Sequence, residues 1–265
     1  MHVPRSRCGK FFIMPNSYFQ FKQFVIHQDR CAMKVCTDAC IFGAWLSGKK
    51  LPWTRALDIG SGTGLLMLML AQHNEGMIEG IELDSAAFGQ LEENIGESKW
   101  KDRLRVVEAD ARNFVFPQQF DLIISNPPFF EGDLLSASDP ENLAKHSKEL
   151  TLVELTGVID ANLAVAGSFA ILLPGHRTEY FEGLAAAHDF YLHEKLLVRQ
   201  TPKHDFFRAM LYFTRRNTGS TTVAAISGEA EGSAGLTISE LTIKNGEGEY
   251  TPEFVSLMRD YYLYL

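Results

Sequence analysis

From residue 55 onward, short apolar runs alternate with longer stretches whose apolar positions fall at helical spacing. ALDI (Ala56–Ile59), MIEGIEL (Met77–Leu83), LRVVEA (Leu104–Ala109) and FDLIIS (Phe120–Ser125) are largely apolar and of strand length. Runs of this kind suit strands buried on both faces. Between them, Leu65–Gln72 and Ser85–Glu97 predict helices. The second has Ser85 as its N-cap and Asp84 as a helix-start acid that complements the dipole. Glu149–Leu163 predicts a further helix through Leu150, Leu152, Val153, Leu155, Val158, Ile159 and Leu163. Ser168–Leu173 predicts a fifth strand, ended by Pro174 and Gly175. Phe181–Ala187 predicts a helix, and Tyr191–Val198 and Ala209–Phe213 two more strands. Strands separated by helices imply βαβ units. The expected fold class is therefore α/β, a doubly wound and mostly parallel sheet with helices on both faces. Thr218–Thr222 and Gly228–Gly235 are small and polar and read as a loop region.

Ligands of such sheets bind beyond the carboxyl ends of the strands, and four strand ends here carry chemistry. LDIGSGTGL (Leu57–Leu65) runs from a strand into a glycine-rich turn that opens a helix. Leu65 and Leu66 stand where a P-loop needs Lys then Ser/Thr, and Leu65 where a dinucleotide fingerprint needs glycine. The form that remains, Gly60, Gly62 and Gly64 with Asp58 two residues ahead, is one that S-adenosylmethionine enzymes commonly show. Glu82 closes the second strand, where a carboxylate can accept from both ribose hydroxyls. Asp110 closes the third, where it can accept from an exocyclic adenine amine or cap the next element.

The fourth strand runs into SNPPFF (Ser125–Phe130). Neither proline can donate to a ladder, so the strand must stop there. One reading is a turn with hydrophobic anchors. The other is a site for a planar, weakly nucleophilic amine, with adenine N6 and the glutamine side-chain amide both fitting. The Asn126 side-chain oxygen and the Pro127 carbonyl could each accept one amine hydrogen and favour a tetrahedral nitrogen in the transition state. Pro127 fixes its own φ, and Pro128 holds residue 127 extended, so the acceptor carbonyl is pre-aimed. Phe129 offers a face for stacking a base, and Phe130 is read as core.

Composition leaves this picture standing. The 265 residues are 46% hydrophobic, enough for a sizeable core. No apolar run approaches the ~20 residues of a membrane span, and the N-terminal residues lack the apolar centre of a secretory signal. Four cysteines without a signal are read as reduced thiols in the cytoplasm. Cys31, Cys36 and Cys40 lack the paired spacing and fourth ligand of a zinc site, so they are expected to be small buried residues, with no metal. Net charge is −8, which opposes bulk attraction to nucleic acid. Residues 1–34 nevertheless carry +5 and residues 199–216 carry +4. An acidic body with two basic segments can still hold a polyanion locally.

Together, GSGTG (Gly60–Gly64), Glu82, Asp110 and NPPF (Asn126–Phe129) resemble the class I, Rossmann-like S-adenosylmethionine-dependent N-methyltransferases. FQFKQF (Phe19–Phe24), HQDR (His27–Arg30), KVCTD (Lys34–Asp38), GAW (Gly43–Trp45), Lys145 and His146 with Leu150 and Leu155, YTPE (Tyr250–Glu253) and the pair Tyr261, Tyr262 narrow it. This pattern is similar to the bacterial tRNA1(Val) (adenine37-N6)-methyltransferase family from about residue 14 to the C-terminus. Residues 1–13 fall outside it and are read as a disordered tail or a misassigned start.

The resemblance implies one methyltransferase domain over 14–265, with residues 14–50 as a lid and seven strands in the sheet. It implies S-adenosyl-L-methionine as cofactor and a tRNA substrate. Thr37 and Asp38 would precede the first helix, near the methionine end of the cofactor. Asp58, Gly60, Gly62 and Gly64 would form its turn, with Glu82 on ribose and Asp110 on adenine. Asn126, Pro127 and Phe129 would serve the target base, with Pro128 beside it. Lys145 and His146 fall where the family has a basic pair that touches RNA, and Lys203 and Arg208 are further RNA candidates. Cys36 departs from the family, which usually has glycine there. Three alternatives stand beside this reading. They are an adenine-N6 enzyme for ribosomal RNA or DNA, a release-factor glutamine methyltransferase, and a silent RNA-binding scaffold. The second normally carries a helical domain ahead of its glycine turn, whereas 57 residues precede Asp58 here.

Overall fold

The computed structural model describes residues 17–31, 33–128, 150–215 and 235–265. Phe129, Phe130, Lys145, His146 and the segments 218–222 and 228–234 lie outside the described residues.

A short antiparallel hairpin opens the described chain, β1 (Tyr18–Gln20) with β2 (Val25–His27), followed by α1 (Thr37–Gly48). Then come β3 (Arg55–Ile59), α2 (Leu65–Ala71), β4 (Met77–Glu82), α3 (Ser85–Glu97), β5 (Leu104–Glu108) and β6 (Phe120–Ser125). The C-terminal half contributes α4 (Leu152–Asn162), β7 (Leu163–Pro174), α5 (Thr178–Ala187), β8 (Phe190–Arg199), β9 (Arg208–Arg215), β10 (Thr237–Thr242) and α6 (Pro252–Met258). The main sheet runs β10-β8-β9-β7-β6-β3-β4-β5. Only β9 is antiparallel, pairing with both β7 and β8; the other ladders are parallel. The chain reverses direction across the sheet between β3 and β6, and the carboxyl ends of β3, β4, β5 and β6 share one edge.

The fully apolar runs lie in the middle of this sheet because both of their faces are covered. Leu122 and Ile124 of β6 join the core beneath α1, α2 and α6, whereas Ile123 between them joins the core beneath α4 and α5; Phe120, on the far side of a register shift in the ladder to β7, joins that second core as well. The second core is aromatic. Phe169 stacks on Phe213 at 4.7 Å and 9°, with Phe181 and Phe190 edge-on around it. Cys31 and Cys40 are buried free thiols and Cys36 is half-buried. Burial is the largest cause that pushes the Cys40 thiol up to about 12, so it behaves as a small core residue.

Several expectations need correction. The N-cap of α3 is Asp84, whose carboxylate accepts from Ala87 N at 2.8 Å, rather than Ser85. Helix α4 starts at Leu152, where Thr151 and Glu154 form a reciprocal capping box; the apolar spacing continued past that stop signal. Strand β7 begins at Leu163, five residues earlier than its apolar stretch. Thr37 and Asp38 lie in the first turn of α1, with Cys36 as N-cap, instead of ahead of the helix. The sheet has eight strands where seven were implied. The extra one is β10, a half-exposed edge strand parallel to β8. TISELT holds only two aliphatic residues, Ile238 and Leu241, on either side of Ser239 and Glu240, too weak a pattern to stand out.

Gly80 has a specific reason to be glycine. A Cβ there would lie 2.5 Å from Met67 Sδ and 2.6 Å from Ser61 Oγ, wedged between β4, α2 and the glycine-rich turn. Gly80→Ala is expected to cost ~1–3 kcal/mol by overpacking, read as a lower urea midpoint at unchanged slope. A midpoint equal to the wild type would mean that α2 does not press on β4.

Candidate active site

Three glycines make the turn after β3 by taking positive φ: Gly60 at 74°, Gly62 at 53° and Gly64 at 81°. Side-chain-bearing residues rarely tolerate those angles. The turn is tied down by Gly60 N donating to Ile81 O (2.9 Å), Gly64 N to Ser61 O (2.8 Å) and Ser61 Oγ to Asp58 O (2.9 Å). Above Gly60 and Gly62 there is open space: a Cβ on either would meet nothing within 4 Å. At Gly64 it would strike Leu91 at 2.7 Å. The first two glycines therefore leave room for a ligand, and the third lets the turn pack on α3.

Glu82, at the end of β4, joins this turn directly. Its Oε2 accepts from Gly62 N at 2.8 Å, and its Oε1 from Leu83 N at 3.0 Å and Asp84 N at 2.9 Å. One carboxylate thus takes three backbone N–H groups from two segments and keeps lone-pair capacity toward the open side.

Asp58 lies one strand over and is only 1% exposed. Neither of its carboxylate oxygens has a hydrogen-bond partner among the described residues. Desolvation first, and the nearby Glu82 charge second, push its carboxyl up to about 8. Near neutral pH the buried Asp58 carboxyl therefore keeps its proton.

Asp110 follows β5. It is held below the ordinary aspartate range chiefly by hydrogen bonds from Arg112, whose Nη2 donates to Oδ2 at 2.7 Å and Nε to Oδ1 at 2.9 Å. Arg112 in turn meets Glu154 of α4 at 3.3 Å. Sequence reasoning gave Arg112 no role because it lies past the strand end. Arg112, Phe114, Phe116, Glu154 and Val158 line a cavity of about 490 Å³ beside this turn.

At the end of β6, Ser125 Oγ donates to Ile59 O at 2.8 Å and locks this strand end to the glycine-rich turn. Asn126 is next. Its Oδ1 is buried and has no hydrogen-bond partner among the described residues, while its Nδ2 lies 3.9 Å from Met33 Sδ. Pro127 is buried and Pro128 half-buried. Phe129, Lys145 and His146 lie outside the described residues.

The segment carrying Met33 crosses the same edge. Asn94 of α3 clamps its start, accepting from His27 N and donating to His27 O (both 2.8 Å) and to Thr63 O of the glycine-rich turn (2.9 Å). Gln28 Oε1 accepts from Val35 N at 2.8 Å. Neither Asn94 nor Gln28 carries a sequence signal for this, since both partners are distant or irregular backbone.

Of the other candidates, Asp38 Oδ2 accepts from Arg208 Nε at 2.6 Å. Thr37 is hydrogen-bonded to the Tyr262 hydroxyl. Arg208 starts β9 opposite Pro174 and Val198, so this pair sits at the carboxyl edge of the sheet. Lys203 is exposed on the β8–β9 connection above that edge. Glycine-rich turn, Glu82, Asp58 and Asn126 are thus neighbours across adjacent strand ends, and the basic candidates stand to one side.

A Methyltransferase small domain model matches residues 46–154. The tRNA1(Val) (adenine(37)-N6)-methyltransferase of Dyadobacter fermentans is 38% identical over 250 residues, 94% of this chain and 98% of that protein. That of Bacteroides thetaiotaomicron is 36% identical over 254 residues, 95% and 100% of the two chains. Among solved structures, a predicted O-methyltransferase from Agrobacterium tumefaciens aligns with a TM-score of 0.59 at 15% identity, covering 84% of this chain and 96% of that one. At that identity it bears on the fold alone.

The Asp58 environment has a pH signature. Between 3.8 and about 8 the folded chain keeps a proton on Asp58 that the unfolded chain has released. The stability linked to that proton is complete below the lower value and is lost as pH rises through the upper one. Asp58→Asn cannot ionise. In ligand-free protein it should flatten the fall in urea midpoint between about pH 5 and about pH 8.5 and exceed the wild type at the alkaline end. Parallel curves for the two proteins would show that Asp58 is not the titrating group.

Proposed function

Since this chain belongs to the tRNA1(Val) (adenine(37)-N6)-methyltransferase family, we propose that it methylates the exocyclic N6 of adenine 37 in tRNA1(Val), with S-adenosyl-L-methionine as methyl donor. The observation that carries the chemistry is the Asn126 carbonyl oxygen, buried at a strand end with no partner among the described residues. An acceptor kept dry and unsatisfied costs stability unless something arrives to donate to it.

The cofactor fits what is there. Gly60 and Gly62 leave open space above the turn, and the Glu82 carboxylate bonded to the Gly62 amide suits a ligand carrying hydroxyl donors. When bound, S-adenosyl-L-methionine supplies an electrophilic methyl group. The chain's task is to prepare the amine. Adenine N6 is planar because its lone pair is delocalised into the ring. Asn126 Oδ1 and the Pro127 carbonyl would each accept one N6 hydrogen, drawing the nitrogen toward a tetrahedral shape and freeing the lone pair to attack. Asn126 is neutral and takes no proton; the proton leaves to water once the methylated nitrogen has become acidic. Fixed acceptors need no reorganisation at the moment of reaction, which is where such groups have most effect. Asp110, already engaged by Arg112, is proposed to receive the cofactor's adenine amine with its remaining lone pairs.

The RNA is proposed to lie across the carboxyl edge toward β8 and β9. Lys203 is exposed there, and Arg199 and Arg208 stand over the Phe206 and Phe207 rings at 5.0 and 5.3 Å. An anticodon-loop base can be swung out at lower cost than a duplex base. On this reading the described chain works as one methyltransferase domain, with the segment up to Lys50 as its lid.

Asn126→Ala should lower kcat by ~10²–10³ while cofactor affinity hardly moves; near-full kcat would remove the amine-activation role. Glu82→Ala should weaken S-adenosyl-L-methionine binding about ten- to a hundredfold, by titration calorimetry. Normal affinity would rule out the proposed crevice. The substrate is tested by methyl transfer to tRNA1(Val), the same tRNA with guanine at position 37, ribosomal RNA and a release factor. Activity on the first alone is expected. Equal activity on the guanine variant, or activity only on the release factor, would overturn the assignment.

A further inference from the structure

Asn126 has two chemically different ends of nearly the same shape, and only one orientation can serve the amine. With Oδ1 toward the target, the amide accepts an N6 hydrogen. Flipped, it presents N–H donors to an amine that also has only hydrogens to offer. Something in the site must distinguish the two orientations. Oδ1 has no partner among the described residues and so contributes no preference of its own. The contact that discriminates is at the other end, where Asn126 Nδ2 lies 3.9 Å from the Met33 sulfur. A thioether accepts weakly and cannot donate. It tolerates the N–H end of the amide and disfavours the carbonyl end, which would face it lone pair to lone pair.

Met33 is placed for this by the strap rather than by the core. It is 45% exposed, so apolar burial does not account for its position. The strap is fastened on both sides of it. Gln90 Oε1 accepts from Arg30 N at 3.3 Å, and Arg30 pairs with Glu93, both on α3. On the other side Gln28 receives Val35 N at 2.8 Å, and Lys34 donates to the Gln28 carbonyl. Between these fastenings Cys31 lies close enough to Glu82 for that charge to act on its thiol. The strap therefore spans from the end of β4 to the end of β6, and Met33 is the side chain it delivers to Asn126.

We propose that Met33 is a positioning residue for methyl transfer: its sulfur holds the Nδ2 end of the Asn126 amide and so leaves Oδ1 facing the target amine. This rests on the amine-activation reading above. The group acts through Asn126 and touches neither the methyl group nor the proton.

A double-mutant cycle tests it. Single-turnover methylation of tRNA1(Val) at saturating S-adenosyl-L-methionine is measured for wild type, Met33→Leu, Asn126→Ala and the double variant. Leucine keeps the bulk and removes the acceptor. Met33→Leu should lower the rate about three- to tenfold, with KM for tRNA, cofactor affinity and urea midpoint unchanged. In the Asn126→Ala background it should cause no further loss, because the amide it orients is gone. A wild-type rate in Met33→Leu, or losses that multiply in the double variant, would overturn the positioning role while leaving the function intact. A wild-type rate in Asn126→Ala would instead bring down the amine-activation reading and this inference with it.

Discussion

The Glu82 carboxylate is the contact on which the site's geometry rests. It sits where β4 ends and takes backbone N–H groups from the glycine-rich turn and from both residues that lead into α3. Charge-assisted bonds to backbone donors are stronger than neutral ones and fix direction as well as distance. Through them, the strand end, the turn after β3 and the start of the next helix become one rigid ledge. Ser125 Oγ, bonded to Ile59 O, carries the same ledge to β6. Asn126 is therefore set relative to the glycine-rich turn by two polar links across three adjacent strands.

That ledge is deliberately under-satisfied. Among the described residues no donor reaches the Asp58 carboxyl, which burial and the Glu82 charge keep protonated up to about pH 8, and none reaches the buried Asn126 Oδ1. Interiors normally pair such groups. Here the unpaired atoms are a buried acid near the end of β3 and a neutral acceptor at the neighbouring strand end. On the function proposed above, the second is the one that awaits the target amine.

The two basic segments have divided roles. In the N-terminal one, Arg30 is bound to Glu93 and Lys34 to the Gln28 carbonyl, so both hold the strap in place. In the C-terminal one, β9 runs antiparallel and sends its two ends to opposite edges of the sheet. Arg208 begins it at the carboxyl edge, paired with Asp38. Arg215 ends it at the amino edge, where Nη1 donates to Asp160 Oδ1 at 2.6 Å and Nη2 to Leu163 O at 3.2 Å. Arg215 is thus an internal tie between β9 and the α4–β7 junction. Lys203, exposed on the connection between β8 and β9, is left for a polyanion to meet.

By itself the sequence determined the alternation of strands and helices from Arg55 to Arg215, because fully buried strands and periodic helices carry their pattern locally. It also marked the glycine-rich turn, since only glycine takes those φ angles freely, and the acids and the Asn-Pro-Pro that close successive strands. Tertiary structure alone decided what those residues touch. That Glu82 seizes the Gly62 amide, that Asp38 and Arg208 pair across 170 positions, and that Met33 reaches Asn126 are long-range contacts with no periodic trace in the chain. The edge strand Thr237–Thr242 was hidden for a related reason. Four of its six residues, on both faces, are exposed and need not be apolar, and its strand character comes from the parallel ladder that β8 offers it. Local pattern records which face is buried; which partner buries it is settled only when the chain has closed on itself.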